Sequence, residues 1–214
     1  VISFGIKNKK SDIKFFKIKK IKKFYEITVK QNDLIISFLT QNEFRNNIYN
    51  ILSALAVMSL FIDISNLKKN IFLNFKIPDG RGNISILNID KKKIRLIDES
   101  YNSNPLSLKS ALLNYDKINS KKAKKFLLLG DMLELGNHSR KLHNSIVPII
   151  NKTNIDKVYV KGKDVSGIFN KISKSKKGKI LNTKSQITKL IKKDLDNNDY
   201  LMIKASMRQV LIRS

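Results

Sequence analysis

Cysteine and tryptophan are absent from these 214 residues, and proline and glycine are scarce, at 3 and 8. Without cysteine there is no disulfide, no thiolate metal site and no thiol nucleophile, which suits a reducing cytoplasm. No apolar run reaches the ~18 residues that cross a bilayer. The longest candidate, Ile48–Ile64, is interrupted by Asn50, Ser53, Ser59 and Asp63, and no secretory leader is expected. Four catalytic signatures are also missing: the GxxxxGK[ST] phosphate loop, the GxGxxG dinucleotide turn, the GxSxG elbow and the HExxH zinc motif. The sequence therefore does not spell out a complete nucleotide-hydrolysing site.

Acidic residues are few. Asp and Glu number 17 against 43 Lys and Arg, a net charge of +26. A field of that size attracts anions, nucleic acid included. The lysines are scattered, however, and runs such as IKKIKK and KSKKGK lack interleaved aromatics for stacking on bases. Abundant Lys, Asn and Ile fit biased coding, so no nucleic-acid partner is expected. A basic, non-catalytic module for nucleic acid or nucleotide is the alternative. The chain starts at Val1 inside an apparent strand, VISFG, and is expected to be the C-terminal part of something longer.

At 42% hydrophobic residues, the chain supports one or two cores. Residues 1–39 read as short strands: VISFG, IKFFKI, FYEITV and LIISFL are rich in β-branched and aromatic residues. Apolar residues at helical spacing predict a helix over Asn46–Ile64, and a second, short one from Ser65 to Ile71. The segment PDGRGN, Pro78–Asn83, marks a hinge, placing domains at 1–78 and 79–214. Beyond it, strands ISILNI and KIRLIDE precede a regular alternation. Helices are predicted at Pro105–Ile118, Ser139–Asn151, Val165–Ser173 and Lys184–Leu195. Strands are predicted at Lys125–Leu129, Lys157–Lys161, Lys179–Leu181 and Tyr200–Lys204. Alternation of this kind gives an α/β domain with a mostly parallel sheet. The tail, Ser206–Ser214, reads as a short helix.

Polar groups gather just past the apolar strands, the edge where open α/β sheets bind ligands. LIDESYNSNP, Leu96–Pro105, runs from a strand through Asp98, Glu99, Tyr101, Asn102 and Asn104 to a helix start. Neighbouring strand residues face opposite ways, so one of Asp98 and Glu99 faces a given site. LLLGDMLELG, Leu127–Gly136, ends its strand in Asp131, which binds substrate or shapes the loop. Asp131, Glu134, His138 and His143 suggest a metal only superficially. The histidines are spaced i, i+5, off a common helix face, and His143 is expected to pack on its helix. Asn47 and Asn50 lie one helical turn apart, either as adenine-reading amides or as caps. Arg81, between Gly80 and Gly82, is placed to meet a phosphate or to remain a solvated turn residue.

These segments resemble the Mur ligase family, in particular the branch that adds D-alanyl-D-alanine. DESYNSNPLSLKSAL at Asp98–Leu112 and the GDMLELG run within Leu128–His143 match that branch most fully. FRNNIYNILSA at Phe44–Ala54, GRG at Gly80–Gly82, Lys204–Ser206, ISFG at Ile2–Gly5 and Ser11–Asp12 follow in order. Phe44 and Asn46 depart from the family's GRHN, Ala205 replaces a glycine after Lys204, and the tail is shorter.

The resemblance implies the end of a central ATP-binding domain over 1–78 and a Rossmann-like C-terminal domain over 79–214. It implies ATP with Mg2+ as cofactors, and UDP-N-acetylmuramoyl-tripeptide and D-alanyl-D-alanine as substrates, in a monomeric cytoplasmic ligase of peptidoglycan synthesis. Asn47, Asn50, Arg81 and Glu99 would contact the nucleotide. Tyr101, Asn102, Asn104 and Ser206 would line the cleft, and Asp131 its dipeptide side. The phosphate loop, the magnesium-binding acid and the catalytic residues of the family have no match in this sequence.

Overall fold

A computed structural model describes residues 1–41, 45–75, 79–120 and 122–206, with the side chains of residues 45 and 46 not described. Phe44, Pro78 and all of the expected tail helix beyond Ser206 lie outside the described residues. The chain divides into two compact units, Val1–Lys76 and Ile77–Ser214.

The first unit is a four-stranded sheet in the order β1 (Phe4–Gly5), β2 (Ile13–Ile21), β3 (Phe24–Gln31), β4 (Leu34–Thr40), followed by helix α1 (Arg45–Met58). β2, β3 and β4 form antiparallel hairpins, with Ile27 opposite Phe38 and Val29 opposite Ile36. Their two-residue turns place Lys22 and Asn32 at positive φ. β1 pairs parallel to β2, and Asp12 holds it by accepting from both the N–H and the Oγ of Ser3, at 2.7 Å each. Ile13, Ile27, Val29 and Phe38 of the sheet are buried together with Ile48, Leu52 and Leu55 of α1. That face carries the helical spacing visible in the sequence. The helix stops at Met58 instead of Ile64. Asp63, rather than Ser65, then caps a single 3₁₀ turn, Ile64–Asn66, by accepting from Ser65 N. A short acidic side chain two residues ahead of a free N–H is a strong local competitor to continued helix.

The second unit is a six-stranded sheet in the order β5, β6, β10, β7, β8, β9. β5 (Asn83–Ile89) and β6 (Lys92–Glu99) form an antiparallel hairpin. Its two turn residues, Asp90 and Lys91, both have positive φ, as a type I′ turn requires. The strands β7 (Lys125–Gly130), β8 (Lys157–Lys161), β9 (Lys177–Ile180) and β10 (Tyr200–Lys204) all run parallel to β6. Four helices connect them: α2 (Pro105–Asp116), α3 (Ser139–Lys152), α4 (Lys163–Ile168) and α5 (Lys184–Asp194). Helix α4 is shorter than the sequence predicts and passes into two 3₁₀ turns, Phe169–Lys171 and Lys174–Lys176.

The sheet has two covered faces. Leu127, Leu129, Val158, Val160 and Met202 meet α2, α3 and α4 on one side. Phe126, Leu128, Leu201 and Ile203 meet Ile187, Leu190 and Ile191 of α5 on the other. All six residues of β7 are buried, as expected for a continuous apolar strand in a parallel sheet. Tyr115 of α2 reaches under the sheet, and its hydroxyl lies 3.0 Å from both Phe126 O and Tyr200 O as donor. It thus ties helix α2 to the two central strands. Tyr115→Phe should lower unfolding stability by about 1–2 kcal/mol, since two buried carbonyls lose their shared donor; urea denaturation measures it.

Candidate functional site

The carboxyl edge of the second sheet is assembled from four strand ends. β6 ends at Glu99, β10 at Lys204, β7 at Gly130 and β8 at Lys161. The strand pairing sets Lys204 opposite Glu99 on one side and opposite Leu129 on the other. Residues far apart in the chain therefore meet here: Arg81, Glu99, Tyr101, Asn102, Asn104, Asp131 and Ser206 of the sequence-derived set all belong to this edge or its turns. Asn47 and Asn50 belong to the first unit. Asn47 is buried and donates through Nδ2 to Thr40 Oγ1 (2.8 Å), while Asn50 is exposed. The two amides, though one turn apart, do not share an environment.

The turn before β5 folds back on the loop after β6. Tyr101 N donates to Gly80 O (3.0 Å) and Gly82 N to Asp98 O (2.7 Å). Gly80 and Gly82 have φ of +77° and +90°, and a Cβ on Gly82 would lie 2.7 Å from Glu99 Oε1. Only glycine allows this approach. It leaves the Arg81 guanidinium over the Tyr101 ring, 4.1 Å from the ring centre, a stacking that arginine's planar head favours.

Glu99 is half-buried and Lys204 is fully buried, with Lys204 Nζ 3.8 Å from Glu99 Oε2. The ammonium also donates to Glu99 O (3.2 Å) and Asn102 O (2.5 Å). Burial pushes the Glu99 carboxyl above the usual glutamate range; Lys204 opposes that rise, Asp98 adds to it and Arg81 opposes it. Burial likewise pushes Lys204 below the usual lysine value, against the pull of Glu99. Asp98 instead serves the turn, accepting from Ser100 N (3.0 Å) and Ser100 Oγ (2.5 Å). The Arg81 charge acts on the Glu99 carboxyl.

Asn104 caps α2. Its Oδ1 accepts from Ser107 N (2.8 Å), Ser107 Oγ accepts from Asn104 N (3.1 Å), and Pro105 occupies the first helical position. This is the capping-box arrangement. Ser103, beside it, is 1% exposed, and its hydroxyl has no hydrogen-bond partner among the described residues.

On the neighbouring loop, Asp131 Oδ1 accepts from Val165 N at the start of α4 (2.8 Å). Its carboxylate lies against Gly162, whose φ is +147° and where a Cβ would sit 2.4–2.5 Å from the carboxylate atoms. His143 is buried and accepts at Nε2 from Met132 N (3.0 Å) while Nδ1 faces Ser139 O (2.8 Å). Ser139 Oγ in turn donates to Asp164 (2.5 Å). His143 therefore does more than pack on its helix: it fixes the first residues of the loop. Ser206 closes the set, accepting from Leu133 N at Oγ (3.3 Å) and donating its N–H to Asp131 O (3.4 Å). Among the described residues no three His, Asp or Glu side chains gather to hold a metal ion.

Four residues of this edge escaped the sequence reading in their actual roles. Gly162 and Ser103 gave no signal. His143 was visible only as a helix residue, as the end of a motif match and as one of a set weighed and set aside for a metal. Lys204 was visible only as part of a motif match, because in a chain with 43 Lys and Arg no single lysine stands out.

The model of the family described as "Mur ligase, glutamate ligase domain" matches residues 86–207. A UDP-N-acetylmuramoyl-tripeptide–D-alanyl-D-alanine ligase of Rickettsia prowazekii (strain Madrid E) is 33% identical over 154 residues, 70% of this chain and 32% of the relative. Its namesake in Bacillus subtilis (strain 168) is 28% identical over 117 residues, 53% of this chain and 25% of the relative. The chain thus spans about a third or less of the curated relatives it matches. Among solved structures, the MurF ligase of Thermotoga maritima in complex with ADP superposes with a TM-score of 0.74 at 20% identity, covering 95% of this chain and 44% of that one. A pseudomurein peptide ligase type C from Methanothermus fervidus gives 0.64 at 19% identity, covering 95% and 41%. These likenesses show a shared fold.

Gly162→Ala should cost at least about 2 kcal/mol, from a glycine-only backbone region together with the collision at Asp131; thermal unfolding reads it. His143→Ala should cost about 1–3 kcal/mol by leaving the buried Met132 N–H without an acceptor, measured the same way.

Proposed function

The chain belongs to the Mur ligase family, and on that premise we propose that it forms part of an ATP-dependent ligase joining D-alanyl-D-alanine to UDP-N-acetylmuramoyl-tripeptide. Residues 1–78 are read as the end of the central ATP-binding domain, and residues 79–214 as the C-terminal domain. The observation that carries the reading is the edge built by Arg81, Glu99 and Tyr101. A carboxylate at a strand end suits the hydroxyls of a ribose, and a stacked guanidinium beside it suits a phosphate. Two relatives with this activity in their names, each matched over more than half of this chain, support it.

In the reaction so assigned, the tripeptide carboxylate takes the terminal phosphoryl group of ATP. The dipeptide amine then attacks the acyl carbon, the bond to the phosphate oxygen breaks, and inorganic phosphate and a proton leave. This chain's share is to orient reactants and exclude water. Such positioning contributes on the order of 7–11 kcal/mol of barrier lowering at best. Glu99 accepts from the ribose, and Arg81 meets the nucleotide. By the family resemblance, Asn47, through its carbonyl oxygen, and the exposed Asn50 are assigned to the adenine. Tyr101, Asn102, Asn104 and Ser206 line the cleft. Asn104 would act through its amide nitrogen, since Oδ1 caps α2. Asp131 borders the dipeptide while shaping its loop through Val165 N. Among the described residues no His, Asp and Glu cluster composes a magnesium site. A substrate carried on a nucleotide suits a cytoplasmic enzyme, and a monomer is the proposed state; no described helix is long and apolar enough to cross a membrane.

The 214-residue chain should bind ADP without turning over ATP, and robust turnover by the chain alone contradicts the reading. Glu99→Gln should weaken ADP about tenfold, the effect of losing one charge-assisted hydrogen bond. Ionised Glu99 is the acceptor and its pKa is raised. ADP affinity should therefore climb as pH rises through a midpoint above the ordinary glutamate range, and Glu99→Gln should abolish that dependence. Isothermal titration across pH measures both.

A further inference from the structure

Lys204 is a fully buried charge to which the proposed chemistry gives no part. Its side chain is 1% exposed, and an ammonium taken out of water persists only where its protons find acceptors. It finds two, both main-chain carbonyls of a single turn, Glu99 O and Asn102 O. The Glu99 carboxylate, 3.8 Å away, adds an ion pair. The register between β10 and β6 sets this up, because Lys204 stands directly opposite Glu99. A neutral side chain of the same length would pack there at no desolvation cost, so the charge itself calls for a purpose.

Two residues further on, Ser206 bonds the other loop, through Leu133 N and Asp131 O. The end of β10 thus holds the turn after β6 with one side chain and the loop after β7 with the next polar one. Ala205, between them, is completely buried.

We propose that Lys204 is a positioning residue of the nucleotide edge: its ammonium fixes the Glu99–Asn102 turn through two carbonyls and keeps Glu99 available as an ionised acceptor, without itself touching the ligand. This rests on the reading of Glu99 as the ribose-facing acid. The groups that face Glu99 are Lys204 from β10, Asp98 from its own strand and Arg81 from the turn before β5. Lys204 is the stronger of the two cations that favour ionised Glu99, and it lies where water does not screen it. Removing its charge leaves burial and Asp98 opposed only by Arg81, so Glu99 holds its proton to higher pH.

Three variants separate charge from hydrogen bonding. Lys204→Met removes both, Lys204→Gln keeps amide donors without charge, and Lys204→Arg keeps the charge. The Glu99 carboxyl is titrated by carbon NMR in each 214-residue chain. The midpoint should rise by about one pH unit in the Met and Gln variants and stay near the original in Lys204→Arg. In Lys204→Met the pH midpoint of ADP affinity should move up with that of Glu99, so that between the two midpoints ADP binds severalfold more weakly than to the unaltered chain. A lysine that merely staples two strand ends would change the unfolding temperature and leave the Glu99 midpoint in place. An unmoved midpoint in Lys204→Gln overturns the proposal, and that variant decides the matter if Lys204→Met does not fold. Should the unaltered chain take up no ADP, the nucleotide reading of the edge falls, while the Glu99 titration still decides the part played by Lys204.

Discussion

Strand β10 hydrogen-bonds to β6 on one side and to β7 on the other, and the arrangement of the carboxyl edge follows from that pairing. β6 and β7 are close in sequence but not neighbours in the sheet. A strand some 70 residues beyond β7 must arrive between them before Glu99, Lys204 and Leu129 can align. Parallel pairing makes this possible, because each strand returns through a crossover that starts and ends at fixed edges. The consequence is that every strand end bearing chemistry points the same way, and the loops after them share one rim.

The rim is held by polar contacts with little slack. Gly80, Gly82 and Gly162 sit where a Cβ would meet Tyr101, Glu99 and Asp131, so backbone and carboxylate approach closely. Asn104, Asp98, His143 and Asp131 each bond a main-chain N–H of an adjacent loop or helix start. Such second-layer bonds keep functional side chains from sampling other rotamers. The rim is therefore rigid where it meets the nucleotide and dipeptide in the proposed reading. Among the described residues, the Ser103 hydroxyl is a buried polar atom without a hydrogen-bond partner.

The mismatches between expectation and structure have local causes. Helix α1 ends at Met58, where the chain tightens into i→i+3 bonds from Leu60 N to Val57 O and from Phe61 N to Met58 O, and Asp63 then caps the separate 3₁₀ turn that follows. Helix α4 is cut short after Ile168, where the chain tightens into 3₁₀ turns on its way to β9. Helices α2 and α3 and strands β7, β8 and β10 lie within two residues of their expected bounds. Their apolar periods are long, and α2 starts at a clear cap, Asn104 followed by Pro105.

Composition and periodicity alone determined an α/β domain after residue 79, because alternating apolar strands and amphipathic helices have one compact solution, a parallel sheet covered on both faces. Motif order pointed to the Mur ligases, since a loop that caps a helix and meets a ligand constrains several neighbouring residues at once. The strand order, by contrast, was decided only in three dimensions. Nothing local in YLMIK says that it enters between β6 and β7, and so nothing local says that Lys204 is buried against Glu99. Whether a lysine is a solvated surface charge or a buried one depends on what surrounds it, and here the surroundings come from segments about 100 residues away.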